Sequence, residues 1–503
     1  MNNKKTIADY CLLAASALLF PFLLFTVLNG CLSPWPLYDR NRVLISTLTV
    51  VISVLFFALI RLLMRKKHHE QSGLLDFFWV LVFFLIQFYS ALLLRHTPFT
   101  DTEQIVTAAE NLAAVGSFEH VERSYQYLSW YPFNLGAVYL YAFLFKMLSL
   151  MGFQDHYMII ALFDSGLFAL GFLAGLNAVR LISGQKSASV YTLLALLCFP
   201  FYYCTAELYT DVLALPFSTI ILYFYLVAGK SGSKRNRIIS ILLFALFSAA
   251  GALLRVTTII ISIACLLDAL FKCRFRLFLA ALACLLVAML TGNTLFERAN
   301  ARHLGAENLR VHRLSVWHYL AMGLPTHEDY GYGQYGDGGW LLLSTSFEDP
   351  QERDDALKEI IRDRVYYLRY PNRLLNMLSR KNVSTFGDGT FHLNQLIEAD
   401  EHAVNNPLKE IIYAQGKFNK GYTALCTAIF YSQMILAGYS LLLYLRRKDT
   451  GGAPVFIALL GAFIYLTLWE TNARYFFVFE FLLIIAASIR PVALLATDDR
   501  PQR

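Results

Sequence analysis

The chain has 503 residues, of which 57% are hydrophobic and only 16% are charged, and its formal net charge is +7. A soluble domain carries roughly 25% charged residues, so this chain has too few charges to cover a water-facing surface. The composition excludes a soluble enzyme, a disordered chain and a compact nucleic-acid-binding module. It predicts an all-α polytopic membrane protein in contact with membrane lipids, with no nucleic-acid partner.

The apolar runs predict about twelve transmembrane helices, because a helix needs about 20 residues to cross a bilayer. The runs lie at 10–29, 43–64, 74–94, 157–180, 188–204, 211–228, 238–253, 256–271, 277–292, 421–444, 454–469 and 474–490. Lys and Arg cluster between them at 230–237, 272–276 and 446–448. Since cytoplasmic loops carry the excess of Lys and Arg, these clusters are predicted to face the cytoplasm.

A further apolar run at 131–151 conflicts with that orientation if it crosses the membrane, because all three basic clusters would then lie outside. We therefore predict an interfacial or re-entrant helix there. This leaves two large external segments, 95–156 and 293–420. The predicted organisation is two extra N-terminal helices (1–73), a transmembrane core with the first external loop (74–292), an extracytoplasmic segment (293–420), and C-terminal helices with a cytoplasmic tail (421–503).

Asp101 follows the third predicted span by a few residues, between Thr100 and Glu103. The spacing of Thr100 and Glu103 is typical of a capping box, which is the favoured interpretation of those two residues. It does not exclude a functional Asp101. A carboxylate at the membrane surface can accept a proton from a hydroxyl group or coordinate a cation.

Other charged residues lie at the predicted outer ends of spans, where charge is costly and usually paired or functional. They are Asp211, Arg255, Glu470 and Arg474. Asp211 has the alternative interpretation of a helix N-cap, and Arg474 that of an ion pair with Glu470 at i,i+4. Together with Asp101, these residues are predicted to share one layer. Carboxylates beside arginines suit a reaction in which arginine holds a phosphate and a carboxylate activates a hydroxyl.

In the order of its motifs and in its predicted topology, the chain resembles the GT-C superfamily of membrane glycosyltransferases. It is most similar to bacterial relatives of protein mannosyltransferases and of the aminoarabinose transferase that modifies lipid A. Four short motifs carry the resemblance: Asp101 with Glu103 in the first external loop, the aromatic-Pro stretch 130–136, the pair Thr210–Asp211 at a helix start, and Arg474-Tyr475-Phe476 in the last span.

The resemblance implies a GT-C-like bundle with interfacial helices and a large extracytoplasmic loop, in a bacterial plasma membrane. It implies an inverting transfer of a sugar from a polyprenyl-phosphate donor to a cell-envelope acceptor, a polysaccharide, teichoic acid or glycolipid, on the extracytoplasmic side. Asp101 would be the base, and Glu103 and Asp211 further catalytic carboxylates. Arg255 and Arg474 would bind the donor phosphate. No organic cofactor is implied; a divalent cation stays open, because some members of the superfamily need one and others do not.

The second external segment supplies the candidate acceptor-binding residues Trp317, His318, Tyr332 and Tyr335. Its Gly/Tyr tract at 330–336 fits a loop that stacks on sugars and equally fits a plain turn-rich loop. Asp349 and Pro350 predict the start of an amphipathic helix.

The alternative function is a multi-span lipid or solute transporter, including a flippase. Transporters often have repeated halves and unwound helices near the bilayer midplane. The chain has no such repeat, and its charged residues are predicted at one face.

Overall fold

The computed structural model describes residues 7–33, 41–65, 73–118, 120–326, 333, 339–393, 407–447 and 450–489. Within these ranges all regular elements are helical. The α-helices are α1 (Ile7–Ala17), α2 (Leu19–Leu32), α3 (Arg42–Arg65), α4 (Gly73–Leu93), α5 (Thr100–Val115), α6 (Glu122–Trp130), α7 (Leu135–Ser149), α8 (His156–Ser183), α9 (Gln185–Leu196), α10 (Thr210–Lys230), α11 (Lys234–Leu254), α12 (Ile259–Phe271), α13 (Phe275–Leu304), α14 (Ala306–His312), α15 (Val316–Gly323), α16 (Trp340–Thr345), α17 (Pro350–Leu368), α18 (Pro371–Phe386), α19 (Lys409–Ile412), α20 (Asn419–Arg447), α21 (Ala453–Leu468), α22 (Arg474–Phe477) and α23 (Glu480–Ser488).

Eight helices of the described residues are long and apolar enough to cross a membrane. They are Tyr10–Leu32, Arg42–Arg65, Gly73–Leu93, His156–Ser183, Thr210–Lys230, Lys234–Leu254, Phe275–Leu304 and Asn419–Arg447. Several of these helices expose large apolar side chains on the protein surface, such as Leu74 and Phe77 on α4 and Leu290 on α13. Such surfaces suit contact with lipid rather than water. The predicted all-α polytopic membrane fold is confirmed.

The other predicted runs correspond to shorter helices: α9, the apolar helix Val256–Phe271, α21, and the broken pair α22 and α23. Enclosure by other helices explains how the last of these, α23, can be short. In α23, every side chain from Phe481 to Ser488 is fully buried. A helix that faces protein on all sides can be broken, because its free backbone groups find partners within the protein.

Helix α7 lies within the run predicted to be interfacial or re-entrant. After a 3₁₀ turn at Pro132–Asn134, it has 15 residues, fewer than the ~20 needed to span a bilayer. Its first turn lies against the end of α11, where Gly136 leaves no room for a side chain: a Cβ there would be 2.2 Å from the carbonyl oxygen of Leu253. This close approach brings the first external loop next to Arg255.

The segment predicted as the second external segment packs partly against the C-terminal half of α2. The Asn29 side-chain amide donates to the Ser379 carbonyl at 2.7 Å, and that of Asn382 donates to the Thr26 hydroxyl at 2.8 Å. Helix α17 begins at Pro350 with Asp349 as its N-cap, since the Asp349 carboxylate accepts from the Gln351 amide at 2.9 Å. The predicted helix start is confirmed.

Candidate active site

Asp211 and Arg255 form a buried ion pair where two helices meet. Asp211 lies in the first turn of α10, and Arg255 directly follows α11 in extended conformation. Arg255 Nε is 2.7 Å from Asp211 Oδ1, and Arg255 Nη2 donates to Oδ2 at 3.1 Å. Two-point contact of this kind fixes the orientation of both groups. The N-cap alternative for Asp211 is wrong: α10 begins at Thr210, and the Asp211 carboxylate contacts arginine instead.

Arg474 joins Asp211 to Asp101. Its guanidinium Nη2 donates to Asp101 Oδ2 at 3.3 Å, and its Nε lies 3.6 Å from Asp211 Oδ2. Arg474 begins α22, whereas Glu470 precedes the helix in a non-helical turn. The alternative interpretation, a helical i,i+4 pair of Glu470 and Arg474, is therefore wrong. The structure brings Asp101, Asp211, Arg255 and Arg474 into one cluster, as the shared layer in the sequence analysis requires.

Two tyrosines hold this cluster together. The Tyr209 hydroxyl donates to Asp101 Oδ2 at 3.1 Å. Its ring lies 4.4 Å from the Arg474 guanidinium, and the ring of Tyr475 lies 5.0 Å from that of Arg255. Arginine stacks favourably on aromatic faces. Tyr209 was not among the predicted site residues, although its position between Glu207 and Asp211 was the available signal.

Asp101 and Glu103 point to different places, because residues two apart on a helix lie on opposite faces. The carboxylate of Glu103 accepts from Gln104 Nε2 at 3.2 Å and lies 3.6 Å from Arg123, whose side chain is exposed. The capping box is wrong as well: Phe99 is the N-cap of α5, without a side-chain capping bond. Thr100 has a φ of 52°. A β-branched residue in this region is strained, and the strain lies directly before Asp101.

Glu207 is a buried carboxyl next to the cluster that the sequence analysis did not select. The Thr102 hydroxyl donates to its Oε1 at 2.9 Å, and His96 Nε2 lies 3.9 Å from its Oε2. Burial raises the pKa of Glu207 to about 8, against the opposing effects of the Thr102 hydrogen bond and the charge of Arg474. Glu207 is therefore mainly protonated at neutral pH.

A cavity of about 360 Å³ opens beside Arg255. Glu470 and Tyr475 line it together with Arg255, and its remaining wall is mainly apolar: Pro132, Phe133, Val256, Thr257, Arg313, Leu314, Val316, Tyr319, Tyr465 and Trp469. Burial raises the pKa of the Glu470 carboxyl above its ordinary value, although its hydrogen bond with Tyr475 and the charges of Arg474 and Arg255 oppose this. We refer to this cavity as the apolar pocket.

The structure describes two of the four predicted acceptor-binding residues, Trp317 and His318. His318 on α15 is fully buried, and its Nδ1 lies 2.7 Å from the Ser344 hydroxyl. Burial, with the charge of Arg353, lowers the pKa of His318 to about 4, so this imidazole is neutral and enclosed rather than displayed to an acceptor. Trp317 is half-buried beneath the Lys358 amine, 5.4 Å from the ring. Tyr332 and Tyr335 lie outside the described residues.

Comparison with sequence families matches residues 38–492 to a family described as "conserved hypothetical integral membrane protein". The chain belongs to this family. The match covers all helices from α3 to α23, and with them the whole cluster around Asp211. Comparison with curated protein sequences gives no match.

Two solved structures of ArnT from Cupriavidus metallidurans, one bound to undecaprenyl phosphate and one in the apo state, are similar to this integral membrane protein. Each aligns with a TM-score of 0.37 at 14% sequence identity, over 84% of this chain and 79% of that chain.

Metal ligation has little support in the part of this integral membrane protein that the structure describes. No group of three or more His, Cys, Asp or Glu side chains is arranged there to hold a metal ion. The cluster carboxylates of Asp101 and Asp211 contact arginine instead. The described donor set therefore does not fit a resident divalent cation, and we derive no catalytic step through one.

Proposed function

We propose that this protein is a GT-C-type inverting glycosyltransferase of the bacterial plasma membrane. It transfers a sugar from a polyprenyl-phosphate donor to a cell-envelope acceptor, a polysaccharide, teichoic acid or glycolipid, on the extracytoplasmic side. One observation carries the proposal. An accessible carboxylate, Asp101, contacts Arg474, which shares the buried carboxylate of Asp211 with Arg255. Arg255 in turn lines an apolar pocket. That combination matches a base, a phosphate site and a place for lipid.

The donor phosphate binds between Arg255 and Arg474. A guanidinium has five N–H donors, and Arg255 contacts Asp211 through Nε and Nη2, so its Nη1 can still donate to a phosphate oxygen. The apolar pocket accepts the first isoprene units. Two residues on its wall, Val256 and Val316, are 58% and 50% exposed. The pocket can therefore open towards the lipid, from which the polyprenyl chain enters.

Asp101 is the base. Its side chain is 36% exposed, against 2% for Asp211, so an acceptor hydroxyl can reach it. Asp101 takes the hydroxyl proton, and the acceptor oxygen attacks the anomeric carbon from the face opposite the phosphate. The bond between that carbon and the phosphate oxygen breaks, polyprenyl phosphate leaves, and the configuration inverts. The two arginines balance the charge that develops on the leaving phosphate.

Asp211 and Tyr209 are positioning residues in this proposal. Asp211 holds the two guanidinium groups in fixed orientations, and Tyr209 orients Asp101 through its hydroxyl while its ring supports Arg474. Catalysis by charge requires such preorganisation, because groups that must reorient during the reaction lose much of their effect. Glu103 has a lesser part, since its carboxylate lies against Arg123. Trp317, Tyr332 and Tyr335 remain proposed acceptor contacts.

A direct assay separates the transferase from a transporter. The purified protein is reconstituted in vesicles with a polyprenyl-phosphate sugar and a cell-envelope extract as the acceptor. Release of polyprenyl phosphate that depends on the extract supports the transferase. Movement of labelled lipid between leaflets, with the sugar–phosphate bond intact, supports the transporter and contradicts this proposal. The Asp101→Asn variant is the matched control, because it removes the base and keeps the side-chain shape.

A further inference from the structure

A second cavity lies where α13, α14 and α17 meet, in the second external segment. It has a volume of about 600 Å³. Three arginines line it: Arg310, Arg313 and Arg353. Among the described residues of its wall, Glu297 is the one carboxylate. We refer to this cavity as the arginine pocket.

The arginine pocket adjoins the apolar pocket. Arg313, Leu314 and Val316 line both cavities. A molecule held in the arginine pocket is thus separated from the proposed donor site by a wall that the two cavities share. The chain order explains this placement: residues 313–315 connect α14 to α15, which begins at Val316. The Leu314 amide donates to the Trp130 carbonyl at 3.1 Å. That bond fastens the connection to the first external segment, just before the 3₁₀ turn at Pro132–Asn134.

The ion pairs of two of these arginines can be exchanged for a ligand. Arg310 pairs with Glu307, with side chains 63% and 74% exposed, and Arg313 pairs with Glu297, with side chains 54% and 52% exposed. Exposed ion pairs contribute little to stability. Arg310 contacts Glu307 at two points, at 3.0 and 2.6 Å, and an incoming phosphate offers arginine a two-point contact of the same kind.

Arg353 differs from the other two because it is buried. Its side chain is 5% exposed, its Nη1 donates to the Val311 carbonyl at 3.0 Å, and its Nε lies 3.3 Å from the Asp354 carboxylate. These contacts hold the guanidinium in place at the pocket wall. One fixed and two adaptable positive charges around the same cavity suit an anion.

We propose that the arginine pocket binds an anionic group, a phosphate or a carboxylate, on the acceptor. The acceptor would then be an anionic envelope polymer rather than a neutral glycan. This inference rests on the proposed function. An anionic lipid headgroup has the same chemistry, so the experiment separates the two sources.

The test measures binding to the full-length protein in phosphatidylcholine nanodiscs. The probes are a short glycerol phosphate oligomer, a neutral maltooligosaccharide of similar length, and polyprenyl phosphate. The variants are Arg310→Glu and, as a matched control on the exposed side of α17, Arg362→Glu. We expect the oligomer to bind to the wild type and to Arg362→Glu, and to bind at least about ten-fold more weakly to Arg310→Glu. Arg353→Gln, which keeps a hydrogen-bonding side chain, should show the same loss.

Three outcomes would overturn the inference. Equal oligomer binding by Arg310→Glu and the wild type would remove the pocket as the anion site. Equal binding of the neutral and anionic oligomers would remove the charge requirement. Loss of oligomer binding by the wild type in nanodiscs that contain phosphatidylglycerol would assign the pocket to a lipid headgroup. Arg310→Glu should bind polyprenyl phosphate as the wild type does, because the donor site lies outside the arginine pocket. Failure of this inference is therefore distinguishable from failure of the proposed function.

Discussion

The carboxylates of Asp101 and Asp211 both contact Arg474, yet the Asp211 side chain is 2% exposed and that of Asp101 is 36% exposed. This difference in exposure implies different roles for the two residues. Asp211 is enclosed by two guanidinium groups and holds them in place, whereas Asp101 has one of its faces open to a substrate. The two residues should therefore respond differently to the same substitution.

Asp211→Asn should destabilise the protein, whereas Asp101→Asn should not. Removing one charge of a buried ion pair leaves the opposite charge uncompensated, which typically destabilises the folded state by about 3 kcal/mol. A partly exposed ion pair contributes at most about 1 kcal/mol to stability. Thermal unfolding of the two variants in one detergent checks this. A lower unfolding temperature for Asp101→Asn than for Asp211→Asn would reverse the assigned roles.

Arg255→Ala and Arg474→Ala should each weaken use of the donor. Loss of one partner in a buried, charged contact typically costs about 2–5 kcal/mol, so the KM for the polyprenyl-phosphate sugar should rise at least about ten-fold. Arg362→Ala, on the exposed side of α17, is the control and should keep the wild-type value. Wild-type turnover by both variants at limiting donor would remove these arginines from the phosphate site.

The wild type should lose stability relative to Glu207→Gln as the pH rises. The pKa of Glu207 is raised from 4.5 to about 8 by burial, so between these values the folded state keeps a proton that the unfolded state has released. Stability then falls with pH across this window, by an amount on the order of a few kcal/mol. Gln does not titrate and can still accept from Thr102. Unfolding temperatures at pH 5, 6.5 and 8 test this; a constant difference between the two proteins would contradict it.

Lys381→Met should disturb the turn that carries Glu470. The buried Lys381 amine donates to the carbonyls of Gly323 and Trp469, and so fastens the external segment to that turn. Two unsatisfied carbonyls cost about 1–3 kcal/mol each. We expect a lower unfolding temperature and a higher KM for the donor. Lys358→Met, which removes an exposed amine, should change neither KM nor unfolding temperature; equal effects of the two variants would exclude the fastening role.

The predicted orientation can be tested with thiol labelling. Cys273 is exposed and lies in one of the predicted cytoplasmic clusters, so an impermeant maleimide should label it only after permeabilisation. Gln154→Cys, beyond α7, should label in intact cells. Labelling of Gln154→Cys only from inside would mean that 131–151 crosses the membrane.

Hydropathy predicted the helices well, because contact with lipid requires long apolar runs whatever the partners are. It overestimated the length of enclosed helices such as α23, which need no lipid-facing surface. The charged residues of the cluster were chosen for their shared depth, and the structure brings Asp101, Asp211, Arg255 and Arg474 together.

What the sequence could not predict was pairing at long range. The i,i+4 rule suggested Glu470 for Arg474, whereas the partners are Asp101 and Asp211, which lie hundreds of residues away in sequence. Tyr209 and Glu207 acquire their roles only from the packing of α5 against the start of α10. His318 was chosen as a candidate acceptor-binding residue, but the packing of α15 encloses it beside Ser344.

The most direct test of the proposed function is sugar transfer by Asp101→Asn at saturating donor and acceptor. A general base typically contributes about 10²–10⁴-fold to a rate, and Asn keeps the shape of the side chain without the basicity. The proposal predicts a folded protein that binds polyprenyl phosphate as the wild type does and transfers sugar at least about 100-fold more slowly. Transfer within a few-fold of the wild-type rate would contradict the assignment of Asp101 as the base.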